Sequence, residues 1–216
     1  MDRAEPRTGT AAPLTRRPVL YNLGSGPRRL LSRMPKDGPF AGWSEVTVDL
    51  DPGNHPDIVA DIADLSGAVA DGAADLIWCS HVLEHFHDHQ IPAVLAGFLR
   101  ILAPDGAAVI RVPDLAQVMR RLDETDLERV LYTSPAGPVS VLDVIYGHRA
   151  SVEAGNLFMA HRTGFTEVSL ARRMLEAGFE EVQTHVGDAM DFWAVGYIGS
   201  AANLKLIGQL IGPAQK

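Results

Sequence analysis

Apolar residues along this chain gather into short runs that glycine and proline interrupt, and the runs alternate between two spacings. Val19-Leu20-Tyr21-Asn22-Leu23 is a compact apolar run ended by Gly24-Ser25-Gly26-Pro27, the pattern of a buried strand entering a glycine turn. Arg28-Arg29-Leu30-Leu31 could start a helix, which Pro35 and Asp37-Gly38-Pro39 would stop. Glu45-Val46-Thr47-Val48-Asp49-Leu50 reads as a second strand, Ile58-Val59-Ala60 as a third ending at Asp61, and Ala74-Asp75-Leu76-Ile77-Trp78-Cys79 as a fourth. From 88 to 102 the spacing changes. Ile91, Val94, Leu95, Phe98, Leu99 and Leu102 recur at three and four, which predicts a helix packed on a sheet. Pro104-Asp105-Gly106 breaks it, and 107–112 reads as a fifth strand.

Between 114 and 165 small and polar residues predominate, with Pro135, Pro138, Gly147 and Gly155 breaking any long helix. A helix is predicted over 166–177, stopped by Gly178, and strands over 181–186 and 192–198 lie close enough to form a hairpin. Leu204, Ile207, Leu210 and Ile211 keep helical spacing in the tail, which could cover a sheet edge or meet a second copy in a homodimer. Residues 1–17 carry hardly a large apolar side chain and read as a disordered tail ahead of one domain over 18–216. Alternating strands and helices without a fixed-period repeat predict an α/β fold, an open and mainly parallel sheet with helices on both faces.

Composition sharpens this picture. With 216 residues, 46% of them apolar, the chain can bury one proper core. Its net charge is −8, and the acidic excess lies in the body, because Arg3, Arg7, Arg16 and Arg17 outweigh Asp2 and Glu5 in the tail. Such a body repels phosphate backbones, so a nucleic-acid partner is not expected. The lone Cys79 cannot form an intramolecular disulfide or a cysteine-rich zinc site. No apolar run approaches the roughly 20 residues of a membrane helix, and the N-terminus lacks a signal-peptide core. A cytoplasmic protein with no membrane partner is expected.

Open α/β sheets bind ligands beyond the carboxyl ends of their strands, where strand order reverses. Gly24 and Gly26 follow the first strand, where missing Cβ atoms let backbone approach a ligand. Asp49 ends the second, where a carboxylate can accept from a ribose diol, and Asp61 ends the third, where one can accept from an exocyclic amine. Ser80 and His81 follow the fourth. Turn glycines and strand-end aspartates are common singly; four such features in order within sixty residues point to a site. The dinucleotide fingerprint G-x-G-x-x-G needs glycine at 29, where Arg29 stands, and no G-x-x-x-x-G-K-S/T loop occurs. Nicotinamide and ATP sites are disfavoured.

Tyr21-Asn22-Leu23-Gly24-Ser25-Gly26 resembles the first motif of class I S-adenosylmethionine-dependent methyltransferases, Val48-Asp49-Leu50 their second and Val59-Ala60-Asp61 their third. Residues 74–86, containing Cys79-Ser80-His81-Val82-Leu83-Glu84-His85-Phe86, resemble the strand-four block of the methyltransferase type 11 group, and 98–106 with 110–114 its fifth motif and strand. His161-Arg162-Thr163-Gly164-Phe165 and Ala177-Gly178-Phe179 resemble downstream landmarks of members met near saccharide and polyketide pathways. The resemblance spans roughly 19–199. It implies a Rossmann-like seven-stranded, mostly parallel sheet with a C-terminal antiparallel hairpin, and S-adenosyl-L-methionine as cofactor. It assigns Gly24 and Gly26 to the methionyl part, Asn22 and Ser25 of the same motif to cofactor binding, and Asp49 to the ribose. Leu50 would pack on the adenine, Asp61 and the Ile62 backbone would read its edge, and Ser80 would lie near the methionine end. The chain departs from the family where relatives carry an acid at Asn22 and a further glycine at Arg28.

Methyl transfer from a sulfonium needs mostly alignment, but a hydroxyl acceptor must also lose a proton, for which histidine is suited. His85, beyond the fourth strand, and His161, in the 114–165 insertion, are the candidate catalytic residues. That insertion would cover a small-molecule acceptor, a saccharide or secondary-metabolite hydroxyl or amine, with Tyr132, Tyr146, Phe158 and His148 as further contacts. His81, His85, His87 and His89 crowd nine residues, but their alternation suits a loop and few carboxylates accompany them, so a metal is not expected. A catalytically silent partner subunit on the same fold is the alternative to an enzyme.

Overall fold

The computed structural model describes residues 16–134, 137–199 and 207–208. Its strands are β1 (Val19–Leu23), β2 (Ser44–Asp49), β3 (Ile58–Val59), β4 (Ala74–Ser80), β5 (Leu102–Pro113), β6 (Val130–Ser134), β7 (Gly137–Ser140), β8 (Glu181–Val186) and β9 (Asp191–Tyr197). Its helices are α1 (Ile91–Ile101), α2 (Leu115–Arg120), α3 (Val141–Tyr146), α4 (Arg149–Glu153) and α5 (Glu167–Ala177). Seven strands form one sheet in the order β3-β2-β1-β4-β5-β9-β8. β1 to β5 run parallel, and β9 pairs antiparallel with both β5 and β8, closing the expected hairpin. Strand order reverses between β1 and β4, so the carboxyl ends of these two strands flank the switch point.

The apolar spacing places α1 and α5 on one face. Ile91, Val94, Leu95, Phe98 and Ile101 bury against Leu23, Ile77, Cys79 and Ile110, and Leu170 and Met174 of α5 join the same core. Thr166 and Ser169 cap α5 reciprocally, and Gly178, at φ +119°, receives its last turn. The opposite face carries Leu20, Leu76, Val109 and Val195, covered by Leu30, Leu31, Phe40, Trp43 and Ile207. The helix expected from Arg28 is reduced to one 3-10 turn at Leu31–Arg33. Glu45 anchors this segment: its carboxylate accepts the N–H of Leu30 (2.7 Å) and of Leu31 (2.8 Å), tying it to β2.

β5 starts earlier than its apolar run suggests. The chain leaves α1 directly in extended conformation at Leu102 and turns at Asp105, φ +65°, with a register irregularity opposite Ala74 and Leu76. The insertion leaves and rejoins the sheet at one point, where Asp114 bridges Phe165 and the Leu115 N–H donates to the Phe165 carbonyl at 3.0 Å. It holds a small core of its own, Val118, Val139, Val141 and Val144 with Met190. Among the described residues no helix is long and apolar enough to cross a membrane. The expected N-terminal tail and the helical spacing of 201–211 fall outside the described residues, apart from residues 16–17 and Ile207–Gly208.

Candidate active site

The glycine turn after β1 is built differently from the expectation. The N–H groups of Gly24 and Ser25 both donate to the Val48 carbonyl, at 2.8 and 3.2 Å, and the Gly26 N–H donates to Asp49 Oδ2 at 2.8 Å. These three donors fasten the loop to β2 and are not turned to a ligand. What glycine supplies is conformation and space: φ is +67° at Gly24 and +56° at Gly26, and a Cβ on Gly26 would meet nothing within 4 Å. At Gly24 a Cβ would lie 2.4 Å from Val82 Cγ2, so protein rather than ligand fills the space there. Ser25 bonds its own loop, Oγ to the Gly26 carbonyl at 3.0 Å.

Asn22 turns its amide nitrogen to the protein. It is buried, and its amide nitrogen donates to Glu45 Oε1 at 2.9 Å and the Arg28 carbonyl at 3.4 Å, so those donors brace the β1–β2 connection. Asp49 ends β2 with most of its acceptor capacity already engaged. Oδ1 accepts from the Asp51 N–H (2.9 Å) and Asn54 Nδ2 (3.1 Å), Oδ2 from Gly26, and about one of roughly four lone-pair positions remains. Leu50 beside it is 47% exposed, an apolar surface presented at the rim. Asp61 is exposed, with Oδ1 accepting the Ala63 N–H at 2.9 Å, while the Ile62 side chain is buried in the core and leaves only backbone to offer. Ser80 closes β4 opposite Arg111 of β5. Parallel strands lie ~4.8 Å apart, so the row from β3 to β4 spans about 14 Å of sheet edge, with carboxylates at one end and the glycine turn and Ser80 towards the other.

Beyond β4 the chain holds His81 at φ +56°, a strained conformation for a non-glycine residue, and then a 3-10 turn at Leu83–His85. His85 Nδ1 lies 3.1 Å from the Ala160 carbonyl and His161 Nδ1 2.8 Å from the Val144 carbonyl. A carbonyl only accepts, so each Nδ1 carries a proton, and in the neutral ring Nε2 is the nitrogen with the lone pair. The two rings meet edge to face with centroids 5.0 Å apart. Burial first, and the neighbouring His85 after it, lower the His161 pKa from its usual 6.5 against the opposing pull of Glu84. His85 and His161, 76 positions apart in sequence, are thus brought together. His87 and His89 stack on each other instead, and His148 Nδ1 bonds Ser151 Oγ at 2.7 Å at the start of α4. Tyr132 is half-buried in the insertion's small core, whereas Tyr146 and Phe158 are exposed and open to contact.

Sequence reasoning missed Glu84. It is 1% exposed, and burial alone would raise its pKa, yet the hydrogen bond from His81 and the charges of His81, His85 and His161 together hold it below the usual value, as a carboxylate. Oε1 meets His81 Nδ1 at 3.2 Å, while Oε2 has no hydrogen-bond partner among the described residues. The spacing His81-x-x-Glu84-His85 was the available signal. The pair Arg111–Asp191 was missed too: the guanidinium bonds Asp191 Oδ2, stacks 4.7 Å over Trp193, and sets Asp191 3.9 Å from His81 Nε2.

Comparison with known proteins agrees with this architecture. Residues 10–184 match the family model described as a methyltransferase domain. No curated protein matches the chain by sequence. Among solved structures it is similar to a SAM-dependent methyltransferase from Archaeoglobus fulgidus, at TM-score 0.56 and 11% identity over 84% of this chain and 86% of that one. It is also similar to the Burkholderia thailandensis 1,6-didemethyltoxoflavin-N1-methyltransferase, solved with its acceptor and S-adenosylhomocysteine (TM-score 0.51, 18% identity, 85% and 72% covered). Human N-acetylserotonin methyltransferase in complex with SAM matches at TM-score 0.50 and 15% identity over 85% of this chain and 48% of that one. With the seven-stranded order, the glycine turn and the strand-end acid in place, and the family model covering most of its length, the chain belongs to the class I S-adenosylmethionine-dependent methyltransferases.

Proposed function

We propose that the protein transfers the methyl group of S-adenosylmethionine to a hydroxyl of a small-molecule acceptor, of the saccharide or secondary-metabolite kind. The residues at the edge of β1 to β4 fit the cofactor by their chemistry: an open glycine turn at Gly26, a remaining acceptor position on Asp49 for one ribose hydroxyl, and the exposed Leu50 side chain for a flat base. When bound, the cofactor supplies a methyl carbon already activated by its sulfonium. The chain's own part is to hold the acceptor in line with that carbon, exclude water and take up or place one proton.

The observation that carries the choice of a hydroxyl is the pairing of His85 with His161. Their Nδ1 protons are tied to the Ala160 and Val144 carbonyls, so that in the neutral ring Nε2 is the nitrogen that can take a proton, where the β4 edge meets the insertion. An amine acceptor would need less of such a device. Tyr146 and Phe158 line the same insertion with exposed aromatic surface for the rest of the acceptor. The acidic body favours a neutral or cationic small molecule over nucleic acid. The test is mass spectrometry of hydroxyl-bearing metabolites incubated with the protein and methyl-deuterated S-adenosylmethionine. A product heavier by one labelled methyl on oxygen supports the reading, and labelled products on nitrogen alone overturn the choice of hydroxyl.

A further inference from the structure

We propose that Glu84, His85 and His161 form a binding site for a divalent transition-metal ion of the zinc type. A carboxylate oxygen of Glu84 and one nitrogen of each histidine lie within 4.8 Å of one another. A bound ion at 2.0–2.2 Å from each ligand brings such atoms to about 3.4 Å, so modest rotations of the two rings close the site. Three independent features prepare it.

First, each imidazole donates its Nδ1 proton to a backbone carbonyl, Ala160 for His85 and Val144 for His161. This is the outer contact that fixes the tautomer of a metal-bound histidine and leaves Nε2 as the ligand atom. Second, Glu84 is buried with Oε2 unpartnered among the described residues, and an unpaired buried carboxylate oxygen is costly unless a cation meets it. Third, His81 Nδ1 donates to the other oxygen, Oε1, orienting the carboxylate so that one oxygen is engaged and one is left. Two imidazoles and one carboxylate suit Zn²⁺ and its neighbours rather than Mg²⁺ or Ca²⁺, which prefer oxygen alone.

Three protein ligands leave at least one coordination position for an outside oxygen. Resting on the proposed hydroxyl transfer, we assign that position to the acceptor. The ion takes up both Nε2 lone pairs and replaces the imidazoles as the activating group: it lowers the pKa of the coordinated hydroxyl, whose proton passes to bulk water. The oxygen then forms its bond to the methyl carbon as the carbon–sulfur bond breaks. The negative charge of the alkoxide and the positive charge of the sulfonium cancel, giving an ether and a neutral thioether.

The experiment uses the full chain without an affinity tag, stripped with a chelator and titrated with Zn²⁺ by calorimetry and with Co²⁺ by visible absorption. One ion per chain is expected, with the ligand-field bands of nitrogen-bound Co²⁺. His85→Ala and His161→Ala should each weaken binding tenfold or more, whereas a His87→Ala/His89→Ala double variant, removing the exposed pair, should not. Should Glu84→Gln fail to fold, the two histidine variants still decide. Equal affinity in His161→Ala and in the unaltered chain, or binding abolished by the His87/His89 changes, would overturn the site. Full methyl transfer by the chelator-stripped protein would overturn its role in the reaction. Ion binding without any transfer to oxygen would retain the site and reject the hydroxyl reading.

Discussion

Val82 stands directly in front of Gly24: Cγ2 of the valine lies 2.4 Å from where a Cβ on the glycine would be. The contact joins the turn after β1 to the turn after β4 across the switch point. It makes Gly24 a packing residue, so its substitution reports on folding before it reports on binding. Gly24→Ala combines that clash with a left-handed φ and should destabilise the protein by about 1–3 kcal/mol. Gly26→Ala meets open space and bears only the conformational cost, about 1 kcal/mol. The expected outcome is a folded Gly26→Ala protein with cofactor affinity lowered at least tenfold, read by urea denaturation alongside calorimetry. Normal affinity in that variant would remove the turn from the cofactor site.

Asp49→Ala should lower S-adenosylmethionine affinity by about 1.5–3 kcal/mol, because charge-assisted bonds to a hydroxyl are lost. Part of the loss comes through the loop, since Asp49 also holds the Gly26 N–H and Asn54. Asn54→Ala separates the two contributions: it frees an Asp49 lone pair while leaving the Gly26 anchor, and affinity should hold or rise. An equal loss in both variants would mean that Asp49 acts only through the loop.

Asp143 gives a pH signature in stability. Burial favours its neutral form, but hydrogen bonds from the Ser140 hydroxyl and N–H and from Arg149 outweigh that and hold its pKa at about 2, against 3.8 unperturbed. A pKa depressed in the folded state stabilises above the unfolded value, and the contribution, roughly 2 kcal/mol, is lost as pH falls from about 4 through 2. Asp143→Asn should therefore be less stable than the unaltered chain at pH 7 and approach it near pH 2.5, by chemical denaturation. A difference independent of pH would assign the role of Asp143 to packing.

Cys79 lies fully buried in the middle of the sheet, and burial first, with Glu84 behind it, pushes its thiol well above the usual value. Its reaction with a thiol reagent should follow unfolding of the core, accelerating in parallel with denaturant-induced loss of ellipticity. Rapid labelling under native conditions would place the β4 edge in open exchange with solvent.

Phe158→Ala should raise KM for the acceptor and leave cofactor affinity unchanged, because this exposed ring belongs to the insertion and not to the strand ends of β1 to β3. A matching loss of cofactor affinity would show that the insertion closes over both ligands.

The strands from β1 to β5, the helices α1 and α5 and the final hairpin were legible because each is local. An apolar run with β-branched residues, or a repeat at three and four, specifies its own element, and Gly, Pro and Asp mark where it stops. Asp49, Asp61 and Ser80 could be placed by the same reasoning, since a parallel sheet brings successive strand ends to one edge whatever the rest of the chain does. Other features depended on groups far apart in sequence. The anchoring of the segment after Arg28 depends on Glu45, whose carboxylate takes the N–H groups of Leu30 and Leu31. Asn22 could be a ligand or a brace until Glu45 was found beside it. His85 and His161 each had an ordinary reading as surface residues. Only the return of the insertion to Phe165 sets them edge to face, fixes their tautomers on Ala160 and Val144, and leaves Glu84 buried between histidines with one oxygen unmet among the described residues. Periodicity records which side of an element is buried; it carries no information about which distant carbonyl or carboxylate will be waiting there.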